Sequence, residues 1–382
     1  MTVDTLPIPF DAAPAAASVP APVQARLEAP LLFTGNGAEY FRIWVVNTLL
    51  SIATIGIYSA WAKVRKSSYF LRNTRLLGDG FEFTGDPLAI LRGRLAALAL
   101  LGFYSFAYDF SLALGLFATA TLVVLAPLLF AGAMRFRLHN TRWRAMRFAF
   151  TATRADAYRA VLIVMALWSL APVVVALGSE SSLMAVSATT LLLLPWIHHR
   201  LKAFQHRHVA FAGHRSGFRS AVGSFYLAYL VALLVPLVPG LLALFAPLIA
   251  PLFGSRTFGG PVLGAVGGIL VVLGYLAAWP YFAARIQRIV WERTTLGPFS
   301  FKTTIAFRPL LSLAIKNFVL ILLTAGLYWP FASIAWARYR IGCMSIAGPE
   351  SLDAAIATLD PGAAANAIGE GAADFFGIDI GW

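Results

Sequence analysis

Asn73-Thr74-Arg75-Leu76-Leu77-Gly78-Asp79-Gly80-Phe81-Glu82-Phe83-Thr84 decides how this chain is built, because it recurs 67 positions later. The second copy is Asn140-Thr141-Arg142-Trp143-Arg144-Ala145-Met146-Arg147-Phe148-Ala149-Phe150-Thr151. Alternating aromatic and polar residues after a Gly-Asp-Gly break are a hairpin signal, so each copy predicts two short strands. In a degenerate third copy Val209-Ala210-Phe211-Ala212-Gly213 matches the end of the first, Phe81-Glu82-Phe83-Thr84-Gly85, and a fourth reads Thr294-Thr295-Leu296-Gly297-Pro298-Phe299-Ser300-Phe301. Near the chain ends, Leu32-Phe33-Thr34-Gly35 matches an outgoing strand with no incoming partner. Arg340-Ile341-Gly342-Cys343-Met344-Ser345-Ile346 sits where an incoming strand belongs. The expectation is that the two ends pair and close a small cytoplasmic β-layer of five hairpin-like units, which would remove exposed sheet edges. On the alternative reading, the aromatic motifs simply anchor the connectors at a membrane interface.

The medium around these connectors follows from composition. Of 382 residues, 59% are hydrophobic and 12% charged, against about 45–50% and about 25% in a soluble domain. Too little polar surface exists to coat a water-facing fold of this size, so most of the chain must be solvated by lipid. Apolar runs long enough to span come in three pairs, near 93–109 and 112–134, 158–178 and 183–199, and 220–243 and 262–284. The first pair turns around Asp109, the second at Gly178-Ser179-Glu180-Ser181-Ser182, and the third through a Pro/Gly-rich connector from Pro247 to Gly260.

Charge orients these pairs. The 30 Lys+Arg exceed the 17 Asp+Glu to give +13, and 24 of the 30 fall in four connectors: Lys63 to Arg94, Arg135 to Arg159, Arg200 to Arg219, and Arg285 to Arg308. Basic segments resist translocation, so these connectors are expected on the cytoplasmic side. A nucleic-acid surface would instead be one contiguous basic domain and is not expected. Residues 1–30 are Ala/Pro-rich and read as a disordered tail. Residues 31–346 form the membrane domain, and 347–382 an acidic, disordered tail. Six acids and no Lys or Arg occur over 341–382.

Two further apolar runs, Ile43 to Ala62 and Phe318 to Ala337, resemble one another. Thr54-Ile55-Gly56-Ile57-Tyr58 aligns with Thr324-Ala325-Gly326-Leu327-Tyr328, each followed by basic residues. If each run crossed once, Arg338, Arg340 and the acidic tail would be exported against the charge rule. Turning back at the Gly-Tyr element keeps both flanks cytoplasmic, and this geometry is favoured. The expected fold is therefore a polytopic all-α membrane bundle of three transmembrane hairpins and two short, re-entrant helical units, with a small β-hairpin layer on the cytoplasmic side.

Phe33-Thr34-Gly35-Asn36-Gly37-Ala38-Glu39-Tyr40-Phe41, then Trp44, Asn47, Ile55-Gly56-Ile57-Tyr58-Ser59-Ala60-Trp61-Ala62-Lys63-Val64-Arg65, and Asn73-Thr74 through Phe83 carry a resemblance. The stretch resembles the YjgN family of bacterial inner-membrane proteins, densely over 33–94 and more loosely to about 346, with both tails outside. The resemblance implies a multi-pass protein of the bacterial cytoplasmic membrane and supplies no activity or site residue.

Candidate chemistry is sparse. His198, His199, His206, His208 and His214 crowd together, but no Cys joins them and Arg200, Lys202, Arg207 and Arg215 would repel a cation, so a basic connector is favoured over a metal site. The acids Asp109, Asp156, Glu180 and Glu292 read as turn or surface residues, and Glu39 as a helix-start carboxylate near Arg42. No G-x-S-x-G, Walker or H-E-x-x-H pattern occurs, so neither an enzyme nor a cofactor is expected. Polar groups in lipid face a bundle interior or snorkel. If Asn47, Thr54, Tyr58, Lys316, Thr324 and Tyr328 converge, they line a weakly polar cavity of positive character, while Lys316 alone would snorkel. The expected function is binding or passage of a small anionic or amphipathic solute or lipid. The alternative is a non-transporting scaffold whose basic face recruits anionic head groups or a partner.

Overall fold

A computed structural model describes residues 27–176, 180–249 and 259–348. The remaining parts of both predicted tails, the Gly178-Ser179 turn and most of the Pro247 to Gly260 connector lie outside the described residues. The chain runs β1 (Leu27–Phe33), α1 (Gly37–Ala53), α2 (Ser59–Arg72), β2 (Thr74–Leu76), β3 (Asp79–Phe83), α3 (Pro87–Phe110), α4 (Leu112–His139), β4 (Thr141–Trp143) and β5 (Met146–Phe150). It continues through α5 (Arg154–Ala176), α6 (Glu180–Arg207), β6 (Val209–Phe211), β7 (His214–Phe218), α7 (Val222–Ile249), α8 (Gly259–Glu292), β8 (Thr294–Leu296), β9 (Phe299–Thr303), α9 (Phe307–Leu323), α10 (Trp329–Gly342) and β10 (Met344–Gly348). Five helix pairs thus leave from and return to strands.

All ten strands join in one closed antiparallel barrel in chain order, with β1 bonded to both β2 and β10. This corrects the expected fold class: the β part is a closed ten-stranded barrel, not a small hairpin layer. The chain ends pair as expected, but the strands of successive units also join one another round the whole circuit, because only a sheet closed on itself leaves no unpaired backbone edge. Leu27–Pro30, assigned above to the N-terminal tail, pair with Gly348–Ser345, and Leu31–Phe33 pair with Leu76–Thr74, so no strand keeps a free edge. The hairpin loops have two residues. Left-handed backbone at Leu77 and Gly78, Arg144 and Ala145, and Ala212 and Gly213 matches the right-handed strand twist, as such loops require. Gly297, also left-handed, opens the fourth loop before Pro298.

Period-two alternation decides which residues fill the barrel. Ala29, Leu31, Phe33, Leu76, Trp143, Phe211, Phe299 and Met344 form one buried cluster with Phe81, Met146, Phe148 and Leu296 packed against it. Trp143, 1% exposed, lies against Phe211 and Phe81 at ring separations of 6.0 and 6.2 Å. The barrel interior is therefore a packed plug. The opposite strand positions carry Arg75, Glu82, Arg142, Arg147, Arg215 and Lys302.

Just above the barrel, each helix pair is closed by a backbone bond across its base. Thr34, Thr84, Thr151, Arg219 and Thr304 donate to the carbonyls of Asn73, Asn140, His208, Arg293 and Cys343 at 2.8–2.9 Å. Consecutive helices pack side by side, and α1 closes the circuit on α10. Five helices, α3, α4, α5, α7 and α8, contain segments long and apolar enough to cross a membrane. Ser111 alone separates α3 from α4, and its hydroxyl, not Asp109, caps α4 by accepting from the Leu114 amide at 3.1 Å. The paired short helices α1–α2 and α9–α10 both return to the barrel, adjacent to one another at the β1–β10 seam.

Candidate functional site

The two short hairpins are built alike. Asn47 and Asn317 each lie ten residues into their helices, and Thr54 and Thr324 follow each by seven. In both, the threonine hydroxyl donates back to the fourth preceding carbonyl (Leu50 and Leu320, 2.7 Å) and accepts from the following tyrosine amide (Tyr58, 2.9 Å; Tyr328, 3.0 Å). The threonines and the tyrosine amides are thus used to shape the turns, and their hydrogen bonds stay local. Tyr58 stacks on Trp61 at 6.1 Å with the Arg65 guanidinium 5.8 Å from its ring. Tyr328 stacks on Phe331, and Phe331 on Phe41 of α1, at 5.5 and 5.6 Å. Gly37 sits where any Cβ would meet the Phe331 ring at 2.6 Å, which lets α1 and α10 approach closely.

The six residues predicted to form a cavity therefore separate into three kinds. Thr54, Tyr58, Thr324 and Tyr328 are half-buried turn residues, and Lys316 is exposed. Asn47 is buried, and its carbonyl oxygen Oδ1 has no hydrogen-bond partner. The match to Asn47 on the other short hairpin is Asn317, the neighbour of Lys316. It is 2% exposed, and both its amide oxygen and its amide nitrogen are buried without a partner. An unmade hydrogen bond at a buried polar group costs about 1–3 kcal/mol; among the described residues Arg142, Gln205, His214 and Arg285 also have one such atom each, but only Asn47 and Asn317 hold matching positions on the two short hairpins. Their shared seven-residue spacing to a threonine was the signal in the sequence. Lys316, one residue earlier, lies about 100° round the helix and is exposed.

Basic residues near the barrel serve a use that sequence reading missed. Arg135, Arg288 and Arg338 each donate to a backbone carbonyl just past a strand of the next unit, at Ala152 (2.5 Å), Ile305 (2.7 Å) and Gly35 (2.8 Å). Tyr69 and Tyr339 act in parallel, each hydroxyl accepting from and donating to one backbone unit: Asn36 at 2.8 and 2.9 Å, Ala306 at 3.1 Å in both directions. Tyr69 also donates to Glu39 at 3.1 Å, and burial pushes its hydroxyl pKa up.

Three of the clustered histidines, His198, His199 and His206, are likewise hydrogen-bonded within the chain, whereas His214 Nε2 is buried without a partner. His199 Nε2 accepts from the Ala221 amide at 3.1 Å, His198 meets the Tyr229 hydroxyl at 3.0 Å, and His206 Nδ1 lies 3.2 Å from the Thr294 hydroxyl. Burial, with the Lys202 charge adding to it, holds His206 down at about 3. Among the described residues, no group of three or more His, Cys, Asp or Glu side chains gathers as a metal site would require. Asp156 shares reciprocal bonds with Thr153 at the start of α5, accepting from its amide at 3.0 Å, the arrangement of a helix cap.

Residues 28–375 match the family described as "Bacterial protein of unknown function (DUF898)", so the similarity reaches into the acidic C-terminal region expected above to lie outside it. Among curated proteins, inner membrane protein YjgN of Salmonella typhimurium is 28% identical over 134 residues, covering 34% of this chain and 33% of the relative. The proteins of that name from Escherichia coli O157:H7 and strain K12 are each 31% identical over 129 residues, covering 32% of this chain and 31% of the relative. The matched part spans about a third of the length of these relatives. No solved structure matches the chain.

Proposed function

We propose, from the premise that this chain belongs to the DUF898 family of bacterial proteins, that it is an inner-membrane protein holding the polar part of an amphipathic molecule, a lipid or lipid-like solute, against Asn47 and Asn317. The role is binding, with passage as its extension, and requires no catalysis. The single observation that carries it is the pair of buried amides with unused hydrogen-bonding capacity. An ester or phosphate oxygen can accept from the Asn317 amide nitrogen, and a hydroxyl or amine can donate to either amide oxygen, so the unused groups match the polar part of a lipid. The relatives' printed name supports the inner membrane as the location. The arginine-rich connectors favour a cytoplasmic barrel.

Replacing both amides by leucine separates this reading from a merely structural one. Asn47→Leu with Asn317→Leu removes unmet polar groups at similar volume, so the empty fold should hold or gain stability. Native mass spectrometry of protein purified in mild detergent should find phospholipid retained by the wild type and lost by the double variant. Equal retention by both, or none by the wild type, would sink the proposal.

A second reading is favoured by the exposed Arg75, Arg147 and Arg215 on the outer face of the barrel. On that reading this face recruits anionic head groups, each cation near the surface contributing about 1 kcal/mol. Loss of binding to vesicles rich in anionic lipid in an Arg75→Gln, Arg147→Gln, Arg215→Gln variant, with lipid retention at the amides unchanged, would favour it.

A further inference from the structure

The turns of the two short hairpins are apolar where a water-facing turn would be polar. Ile55 is 96% exposed, and Ile57, Leu323, Leu327 and Trp329 stand out beside it on the two tips. The amide donors of each turn also need no water. From Thr54 to Ser59 every amide N–H has an acceptor within the hairpin: Leu50, Ile52, Ser51 and Thr54 carbonyls, the Thr54 hydroxyl, and the Gly56 carbonyl, in that order. The same holds from Thr324 to Trp329, with Leu320, Leu322, Ile321 and Thr324 carbonyls, the Thr324 hydroxyl and the Gly326 carbonyl. Gly56 and Gly326, at φ +86° and +91°, permit the reversal, and Pro330 has no N–H to satisfy. Irregular backbone can enter hydrocarbon only when its polar groups are met internally, and these twelve donors are.

Length sets the depth. Past Arg42, α1 has eleven residues to Ala53, a rise of about 16 Å, and α2 begins only four residues before Lys63, about 6 Å. Neither crosses a hydrocarbon core of about 30 Å. The flanking α3 and α8, of 24 and 34 residues, are long enough to do so.

We infer that the α1–α2 and α9–α10 turns end inside the bilayer, and that the acyl chains of lipid from the leaflet farther from the barrel rest on them, in a lateral notch between α3 and α8. The notch stands on the tip residues, whereas the binding proposal stands on Asn47 and Asn317, so either can fail alone.

Single cysteines test it in a Cys343→Ser background, Cys343 being the only native cysteine. Ile55→Cys and Leu327→Cys protein in vesicles should show complete loss of labelling by a membrane-impermeant maleimide from both faces, while Leu32→Cys on the barrel labels. A fluorophore attached at either tip before reconstitution should be quenched more strongly by lipids spin-labelled near the chain end than by head-group-labelled lipids. Aqueous labelling from the far face would mean full crossing, and from the barrel face a surface position; either overturns the inference. Protection from both water and chain-end quencher would place protein on the tips and overturn it equally. Ile52→Cys and Leu323→Cys carry the same test if a tip variant fails to fold.

Discussion

The Arg338 guanidinium donates to the Gly35 carbonyl across 2.8 Å, tying α10 to the loop that follows β1. It lies beside the seam where β1 and β10 close the barrel, a contact between residues far apart in sequence. A bond from a charged donor contributes about 1.5–3 kcal/mol. Arg338→Met should lower stability in detergent by that amount, and Arg338→Lys should recover part of it. A thermal melt followed by tryptophan fluorescence checks both.

The second hairpin loop turns through Arg144 and Ala145, at φ +48° and +65°, with no glycine. A side chain in left-handed backbone costs about 1–2 kcal/mol. Ala145→Gly should therefore raise the melting temperature. Gly78→Ala should lower it: space is open around Gly78, so any loss there reports backbone strain alone, of about 1 kcal/mol.

Acid should weaken the fold through His206. In the folded protein the imidazole stays neutral to about pH 3, whereas an unfolded chain binds the proton near the ordinary value of 6.5. The unfolded state therefore takes up more protons, and stability falls as pH drops from about 6.5 towards 3, by about 1.4 kcal/mol per unit. His206→Gln should flatten that slope, measured as melting temperature against pH.

Trp143 fills the centre of the plug, with the Arg144 guanidinium 4.7 Å from its ring centroid and its indole nitrogen donating to the Asp79 carbonyl at 3.4 Å. Trp143→Ala should cost about 3–5 kcal/mol, the range for emptying a large buried aromatic. Increased proteolysis at the hairpins alongside the lower melting temperature would locate the loss in the barrel.

Much of this architecture was legible in residues that act locally. Gly78 and Gly297-Pro298 announce hairpin loops, and the Thr-x-Gly-x-Tyr pattern announces two like turns, because each needs only neighbouring residues to be satisfied; Gly213, matched above to Gly85 beyond an outgoing strand, instead lies in the loop between β6 and β7, since Val209–Phe211 is the incoming strand. Pairing of the chain ends was legible, but the full ten-stranded ring and the reach of β1 back to Leu27 were not. β2, β4, β6 and β8 have three residues each, too few for a clear alternation, and the bonds of β1 to both β2 and β10 join segments far apart in the chain. Helix phase hid the site: Lys316 and Asn317 differ by about 100° around α9, and only the buried Leu310 one heptad earlier reveals which of them turns inward. The arginines of the connectors announced a charge pattern but not the carbonyls they hold.

Pairing of the first strand with the last has a consequence for assembly. The ribosome delivers β10 after every other strand, so until Met344–Gly348 emerge β1 and β9 both present unpaired backbone. Closure of the ring therefore waits on synthesis of α10, the helix that precedes β10. The pairing of Leu27 with Gly348 makes residues 27–348 a candidate for circular permutation, with a short linker from Gly348 to Leu27 and new termini opened at the Arg144-Ala145 loop.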